Sequence, residues 1–193
     1  MRRDGFTLIE VLTASTLLIA ALGMIWQAWM MANTTSDALG RKMDATNASA
    51  RALNTIEHEL RLASFSRLSP LPSATIRYHI PEDVDGNGLP VDASGKPEYG
   101  VERVIARDRN DANHDGISED QLILISGDRV EVLANDLLPD ETEDTNGNGR
   151  LDRGIWFETD GRGVMIRLSV SMKTARKLTL AGQAAQLVTP RNP

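Results

Sequence analysis

Residues 5–12 read GFTLIEVL and open an apolar run that continues to about residue 32, behind the short basic stub MRRD. Glu10 is the one acidic side chain within that run. A carboxylate in a membrane-length apolar helix costs about 2.5–3.5 kcal/mol on insertion scales, so such a residue normally has a partner. Because Glu10 follows a Gly-Phe junction so closely, we expect its partner to be an N-terminal amine that cleavage at this junction creates.

The apolar run has the length of a membrane span. Residues 6–32 form a stretch of 27 residues, which suffices to cross a hydrocarbon core of about 30 Å at about 1.5 Å per helical residue. Arg2 and Arg3 precede the run, and such basic residues hold a leader on the cytoplasmic side. The sequence therefore predicts a single membrane-spanning segment at the N-terminus.

Two plainer interpretations of this segment are a secretory signal peptide and a simple signal anchor. A signal peptide has its apolar region before a small-residue cleavage site. Here the junction between Gly5 and Phe6 precedes the apolar run, so cleavage leaves the apolar segment on the mature chain. A simple anchor, in turn, has no need of Glu10. The chain differs from both, which favours cleavage of the chain before the apolar segment.

This combination of features resembles type IV prepilins and the pseudopilins of type II secretion. It joins a basic leader ending in Gly5, Phe6 at the next position, Glu10 five places into the mature chain and an uninterrupted apolar helix. The resemblance implies that a prepilin peptidase cuts between Gly5 and Phe6 and N-methylates Phe6. It also implies that Glu10 of one subunit neutralises the Phe6 amine of its neighbour. Residues 50–64 resemble, over a short stretch, the helix end of PilW-like minor pilins and J-type minor pseudopilins.

The resemblance implies a structural role and no enzymatic activity. The expected role is that of a minor subunit that primes assembly of a type IV pilus or a type II secretion pseudopilus. The implied partners are other pilins or pseudopilins of the filament tip, the prepilin peptidase and the inner-membrane assembly platform. The implied location is the inner membrane, with one span and a periplasmic C-terminal domain, and afterwards the filament. Pili, pseudopili and competence filaments share this leader, so the sequence does not choose among them.

Composition narrows the remaining classes of function. The 193 residues are 41% hydrophobic and 25% charged, with a net charge of −6 and no cysteine. Residues 81–160 contain 21 acidic and 7 basic side chains. No basic stripe with interleaved aromatic residues is present, which argues against nucleic-acid binding. The sequence contains neither G-x-S-x-G nor H-E-x-x-H, so no catalytic constellation is predicted.

The polar and apolar patterns predict an α+β, pilin-like fold, in which a long N-terminal helix packs on an antiparallel β-sheet domain with acidic loops. No proline interrupts residues 6–64, and we expect one helix there, with its second half amphipathic. The predicted packing stripe of that half is Leu39, Met43, Ala50, Leu53, Ile56, Leu60 and Ala63. The predicted organisation is a leader at 1–5, a transmembrane segment at 6–32, an amphipathic segment at 33–65 and a β-rich domain at 66–193.

Six later segments are rich in β-branched and aromatic residues and predict strands. They lie at 74–80, 101–107, 121–126, 129–133, 155–159 and 164–172. Gly127 and Asp128, between two apolar runs, predict a two-residue hairpin of type II′. Residues 174–193 have weak patterning and are either a loose tail or a final edge strand.

Three loops match D-x-[DN]-x-[DN]-G, the first half of an EF-hand calcium loop. They begin at Asp83, Asp111 and Asp144. Oxygen ligands at positions 1, 3 and 5 converge on one side of such a loop, and the glycine at position 6 permits the sharp turn. The candidate ligands are Asp83, Asp85, Asn87 and Asp92 in the first loop; Asp111, Asn113, Asp115, Glu119 and Asp120 in the second; and Asp144, Asn146, Asn148 and Asp152 in the third.

The loops depart from an EF-hand at position 12, where the chain has Ser94, Leu122 and Ile155 in place of glutamate. We therefore expect weak Ca²⁺ sites with dissociation constants of about 10⁻⁴–10⁻³ M, as in extracellular modules. Asp-Gly and Asn-Gly clusters are also good turn formers without any ion. The first two loops are the better candidates. If they bind Ca²⁺, the alternative role is a calcium-dependent tip adhesin or substrate-binding subunit of the same filament.

Overall fold

The structure, a computed structural model, describes residues 7–118, 120–138, 154–159, 163–173 and 179–190, and gives only the backbone at 172–173 and 179–181. It confirms an α+β chain with one long N-terminal helix and antiparallel sheets. The chain divides into two compact units, Met1–Gly40 and Arg41–Pro193. The predicted cleavage residues Gly5 and Phe6 lie outside the described residues.

Helix α1 extends from Leu8 to Leu62 and is 55 residues long. In the first unit, none of the described residues is buried, and large apolar side chains such as Leu8 (80% exposed) and Met31 (73% exposed) face outward. By length and composition this helix fits either a membrane span or a signal sequence. A helix that is apolar on all sides needs lipid or protein around it, because water does not solvate such a surface favourably.

In the second unit, one face of α1 is buried. Its buried residues are Ala45, Ser49, Ala52, Leu53, Ile56 and Leu60, and Ala63 follows just after the helix. The predicted stripe is thus confirmed from Leu53 onward. It is wrong at Leu39, Met43 and Ala50, which are exposed. The reason is that the buried face continues toward the N-terminus through small residues, Ala45 and Ser49, which hydropathy does not distinguish from a polar face.

The described residues of the second unit form two antiparallel sheets, a division on which the sequence made no prediction. One sheet has the order β1-β2-β3-β4 and the other β5-β6-β7. The strands are β1 (Ile76–Tyr78), β2 (Arg103–Arg107), β3 (Leu122–Ser126), β4 (Arg129–Ala134), β5 (Ile155–Thr159), β6 (Val164–Lys173) and β7 (Thr179–Val188). All six predicted strands are present, although the first is shorter than expected. Of the two interpretations of the C-terminal segment, the edge strand is confirmed.

The hairpin between β3 and β4 has the predicted turn. Ser126 pairs with Arg129 across it. Gly127 has a φ of 58°, whereas Asp128 is not among the residues with positive φ. A type II′ turn needs a positive φ at its first central position only, while type I′ needs it at both. The two-residue connection therefore fixes the register of β3 and β4.

Two glutamates on α1 join the helix to both sheets. Glu59 accepts a hydrogen bond from the hydroxyl of Tyr78 at 2.9 Å and forms an ion pair with Arg103 at 2.7 Å. Burial, followed by the charge of Glu59, raises the pKa of Tyr78 far above its usual value, so the phenol stays protonated as a donor. Glu57 instead contacts Arg61 and the amide of Gln186 on β7. As expected for residues two apart on a helix, the two carboxylates face different ways.

Gly182 on β7 lies directly against the backbone of α1. A Cβ atom at this position would lie 2.9 Å from the carbonyl carbon of Ala45 and 2.9 Å from the nitrogen of Thr46. Ser49 uses the same narrow gap, since its hydroxyl donates to the carbonyl oxygen of Gly182 at 3.4 Å. Backbone atoms of a helix cannot move aside cheaply, so glycine is required here for steric reasons.

We expect Gly182→Ala to destabilise the second unit by about 1–3 kcal/mol, the usual cost of inserting a methyl group into a packed site. Gly40→Ala is the matched control, because nothing lies within 4 Å of a Cβ at Gly40 and alanine favours a helix interior by about 1 kcal/mol. Thermal unfolding of the full chain in detergent, followed by the β-sheet signal in circular dichroism, measures both. An unchanged midpoint for Gly182→Ala contradicts the proposed close contact.

Candidate functional sites

The first candidate site is the N-terminal turn of α1. The carboxylate of Glu10 accepts hydrogen bonds from the backbone N–H of Thr7 at 3.0 Å and from its hydroxyl at 2.9 Å. In return, the backbone N–H of Glu10 donates to the Thr7 hydroxyl oxygen at 3.4 Å. This reciprocal arrangement is a capping box, in which a threonine and a glutamate three residues later satisfy the open donors of a helix start.

The capping box gives Glu10 a partner within its own chain. A carboxylate in the first turn is also favoured by the positive end of the helix dipole. Both contacts hold the charge at the very start of the apolar helix, beside the Gly-Phe junction. The arrangement can therefore present a fixed negative charge to a cation that approaches the end of the helix. The pattern T-L-I-E at residues 7–10 is the sequence signature of this capping box.

The second candidate site is the first acidic loop. Among the described residues, one group of three acidic side chains, Asp83, Asp85 and Glu98, has oxygen atoms that all lie within 4.8 Å of one another. Calcium–oxygen distances are about 2.3–2.6 Å, so ligands on opposite sides of one Ca²⁺ lie about 4.6–5.2 Å apart. The spacing of these three carboxylates therefore fits a shared cation.

Glu98 is a candidate ligand that the sequence analysis missed. Its carboxylate accepts hydrogen bonds from the backbone N–H groups of Val84 at 2.8 Å and Asp85 at 3.2 Å. Glu98 lies outside the repeating motif and reaches the loop because the chain folds back, with Glu82 N–H donating to the Glu98 carbonyl at 3.1 Å. Its distance from the motif along the sequence, thirteen residues from Asp85, hides it from a search by spacing.

Asp92, which was predicted to close the first loop, has a different role. Its carboxylate accepts hydrogen bonds from the hydroxyl of Ser94 at 2.6 Å and from the N–H of Lys96 at 2.9 Å. It thereby holds its own turn and is not part of the three-carboxylate group. Asn87 lies within the loop, where its side-chain amide donates to Asp85 at 3.0 Å and to the carbonyl of Val91 at 2.8 Å.

Hydrogen bonds within the first loop lower the pKa of two of its carboxyl groups, those of Asp83 and Asp92. The N–H of Gly88 is the main cause that lowers the pKa of Asp83, and the hydroxyl of Ser94 lowers the pKa of Asp92. A carboxyl group whose pKa is lowered by folding stabilises the fold above its unfolded value of about 3.9. That contribution is lost as the pH falls through the lower, folded value. At neutral pH, therefore, Asp83 and Asp92 are ionised.

The second acidic loop is built differently. Asp111 accepts hydrogen bonds from the N–H groups of Asp115 at 2.9 Å and Gly116 at 3.1 Å. The carboxylate of Asp115 accepts from the amides of Asn113 at 3.0 Å and Gln121 at 2.8 Å. The Gln121 amide is the main cause that lowers the pKa of Asp115. Unlike the first loop, this loop does not belong to a group of three clustered acidic side chains among the described residues.

Several predicted ligands are not brought into either group. Asp120 is exposed, and its backbone carbonyl accepts a hydrogen bond from the N–H of Leu137 at 2.9 Å. Asp108 precedes the motif of the second loop and is not one of the predicted ligands. It is 1% exposed and accepts a hydrogen bond from the N–H of Ala112 at 3.0 Å. Its role is to hold the start of the second loop. The predicted ligands outside the described residues are Glu119, Asp144, Asn146, Asn148 and Asp152.

Comparison with known proteins adds no functional assignment: no family model, curated protein or solved structure matches this chain.

Calcium binding stays a prediction, and the first loop offers a sharp test of it. We expect Ca²⁺ at ten to a hundred times the dissociation constant to raise the free energy of unfolding of the full chain by about 1.4–2.7 kcal/mol, with a chelator reversing the effect. Glu98→Gln should abolish this rise, whereas Asp92→Asn should lower basal stability and leave the rise intact. Thermal unfolding in detergent with and without Ca²⁺ measures each case. Absence of any rise at millimolar Ca²⁺ would remove the prediction.

Proposed function

We propose that this protein is a minor pilin or pseudopilin, a filament subunit that is anchored in the inner membrane before assembly. The proposal includes cleavage between Gly5 and Phe6 and N-methylation of Phe6 by a prepilin peptidase. The cleaved chain then carries a positive amine on Phe6, four residues before Glu10 in the sequence. The protein has no catalytic role in this proposal, and it acts by packing against other subunits.

The observation that carries the proposal is the position of Glu10. It is the one charged residue among residues 7–32, in a helix whose described residues up to Gly40 are all unburied within this chain. Such a surface is suited first to lipid and then to the helices of neighbouring subunits. Glu10 is fixed by Thr7 at the end of this surface. In a filament, the amine of one subunit and the carboxylate of the next can neutralise each other, which removes both charges from an apolar interior.

The acidic charge of the second unit favours the role of a minor subunit over that of a major subunit repeated along the filament. Long acidic loops interrupt its strands, and residues 81–160 contain 21 acidic against 7 basic side chains. Repeated copies of such a surface repel one another at close spacing. A subunit present in few copies, at the start or tip of a filament, avoids this repulsion. Pilus, secretion and competence filaments are all compatible with these features.

A second role within the same filament is calcium-dependent contact with a surface or a substrate. The observation that favours it is the group formed by Asp83, Asp85 and Glu98, which is exposed or half-buried and thus accessible. A cation held there would fix the loop and leave open positions for an oxygen ligand on the partner. If Glu98→Gln abolishes adhesion while filaments still form, the loop acts in contact; loss of filaments places it in assembly instead.

Processing is the most direct test of the proposed function. When the full chain is produced together with a prepilin peptidase, we expect mass spectrometry to find a mature N-terminus at N-methylated Phe6. Gly5→Leu should block the cut, because a side chain replaces the hydrogen at the residue before the scissile bond. A mature chain that still begins at Met1, or is cut elsewhere, would contradict the proposal.

Assembly tests the charge of Glu10 separately from its capping role. We expect Glu10→Val to keep membrane insertion and to reduce incorporation into filaments strongly, since the amine of the neighbouring subunit loses its partner. Thr7→Val is the matched control: it removes the hydroxyl contacts of the capping box but keeps the carboxylate, so incorporation should fall less. Immunoblots of sheared filaments and of membranes measure both. Equal incorporation of Glu10→Val and the unchanged protein would exclude charge pairing as the mechanism.

A further inference from the structure

Among the described residues, Asn87 is the one asparagine that a glycine follows. Both Asn87 and Gly88 are exposed, and no atom lies within 4 Å of the point that a Cβ of Gly88 would occupy. A peptide nitrogen beside a residue without a Cβ is open to close approach. The side-chain amide of Asn87 therefore meets no side chain at the next residue that would hinder contact with the backbone nitrogen there.

The side-chain amide of Asn87 is held at both ends. Its Oδ1 accepts a hydrogen bond from the backbone N–H of Leu89 at 2.7 Å, which is an Asx turn that folds the side chain back over the Gly88 peptide. Its Nδ2 donates to Oδ2 of Asp85 at 3.0 Å and to the carbonyl of Val91 at 2.8 Å. The amide thus has one fixed orientation beside the peptide that follows it.

Two further contacts activate the groups that face each other. The N–H of Gly88 donates to Oδ2 of Asp83 at 2.7 Å, and a charged acceptor polarises such a bond and raises the electron density on the nitrogen. The N–H of Leu89, which binds Oδ1 of Asn87, stabilises the negative charge that develops on this oxygen when its carbon is attacked. The loop therefore holds a nucleophile, an electrophile and an oxyanion donor for an intramolecular acyl transfer.

We propose that Asn87 is a modification site, at which the loop converts its own asparagine into aspartate or isoaspartate through a cyclic imide. The nitrogen of Gly88 forms a bond to Cγ of Asn87, and the proton of this nitrogen passes to solvent. The bond between Cγ and Nδ2 breaks, and Nδ2 takes up a proton and leaves as ammonia. Water then opens the imide at either carbonyl carbon, its hydroxyl adding to the carbon and its proton returning to the nitrogen. No group is oxidised or reduced.

Asn113 in the second loop is a comparison within the same chain. Its Oδ1 accepts a hydrogen bond from the N–H of Asp115 at 3.2 Å, which is the same type of turn. The next residue, however, is His114, which has a Cβ, and its N–H donates to the neutral backbone carbonyl of Asp111 at 3.1 Å. Because both activating features differ, we expect Asn113 to convert slowly.

Conversion changes what the first loop can bind. Aspartate at position 87 has no donor for Asp85 or for the carbonyl of Val91, and it adds a negative charge beside Asp85. The residue is the fifth of the calcium-loop motif, and the affinity of such loops depends on the number of charged ligands. The converted loop should therefore depend more on a divalent cation. This consequence rests on the calcium prediction, whereas the modification itself does not.

Mass spectrometry of tryptic peptides from the full chain in detergent, kept at neutral pH with a chelator, measures the conversion. The peptide from Tyr78 to Arg103 has Asn87 as its one asparagine, and the peptide at 110–129 contains Asn113. The same chain unfolded in urea gives the rate without the contacts of the loop. We expect Asn87 to convert at least about tenfold faster in the folded chain, since an oxyanion donor alone contributes about 10²–10³-fold in enzyme sites. Asn113 should show no such increase.

A pair of variants tests the contact with Asp83. Asp83→Asn removes the charge that polarises the N–H of Gly88, and we expect the folded rate at Asn87 to fall at least about fivefold. Asp92→Asn is the matched control, because it removes a charge from the same loop, whereas Asp92 binds the N–H groups of Ser94 and Lys96. Its rate should not change. Circular dichroism verifies that each variant folds.

Two outcomes overturn the proposal. A folded rate equal to or below the rate in urea shows that the loop does not promote the reaction, and this comparison needs no variant. Equal rates for Asp83→Asn and Asp92→Asn exclude the specific contact with the Gly88 nitrogen. Because these measurements use neither Ca²⁺, cleavage nor filament formation, their failure leaves the calcium prediction and the proposed function untouched, and the reverse also holds.

Discussion

The second unit depends on the burial of one face of α1 against two sheets at once. The face from Ala45 to Ala63 supplies the surface, and Glu59 and Glu57 hold the two sheets to it through Arg103 and Gln186. Small residues set how close the helix and β7 can come, as the contact of Gly182 with the backbone of Ala45 requires. Residues of the 3-stranded sheet, the 4-stranded sheet and this helix face belong to one hydrophobic cluster, so the shared helix face joins the two sheets into one core.

The two parts of α1 differ in how their surfaces are covered. Residues after Gly40 have a face that the sheets cover, whereas those before it expose apolar side chains on all sides. Within the apolar part, the single carboxylate of Glu10 is satisfied by Thr7. Thr7 supplies no positive charge, so the carboxylate of Glu10 keeps a net negative charge with which a protonated amine can pair. The proposed assembly mechanism uses this charge.

The second unit has no disulfide, because the chain has no cysteine. Its loops are instead held by carboxylates that accept backbone N–H groups, as Asp83 and Asp92 do. These bonds keep the pKa of each carboxyl group low and the loops negatively charged.

The sequence by itself determined the elements whose signal is local. The hydropathy pattern predicted the long helix, and the β-branched runs predicted six strands. The pair Gly127-Asp128 between two apolar runs predicted the II′ turn. The sequence also led to the predictions of cleavage between Gly5 and Phe6 and of charge pairing by Glu10. Only the tertiary structure decided the division into two sheets, the burial of Ala45 and Ser49, and the replacement of Asp92 by Glu98 beside Asp83. These depend on contacts between residues far apart in the chain, and neither spacing nor hydropathy records which distant backbone will fold against a given loop or helix face.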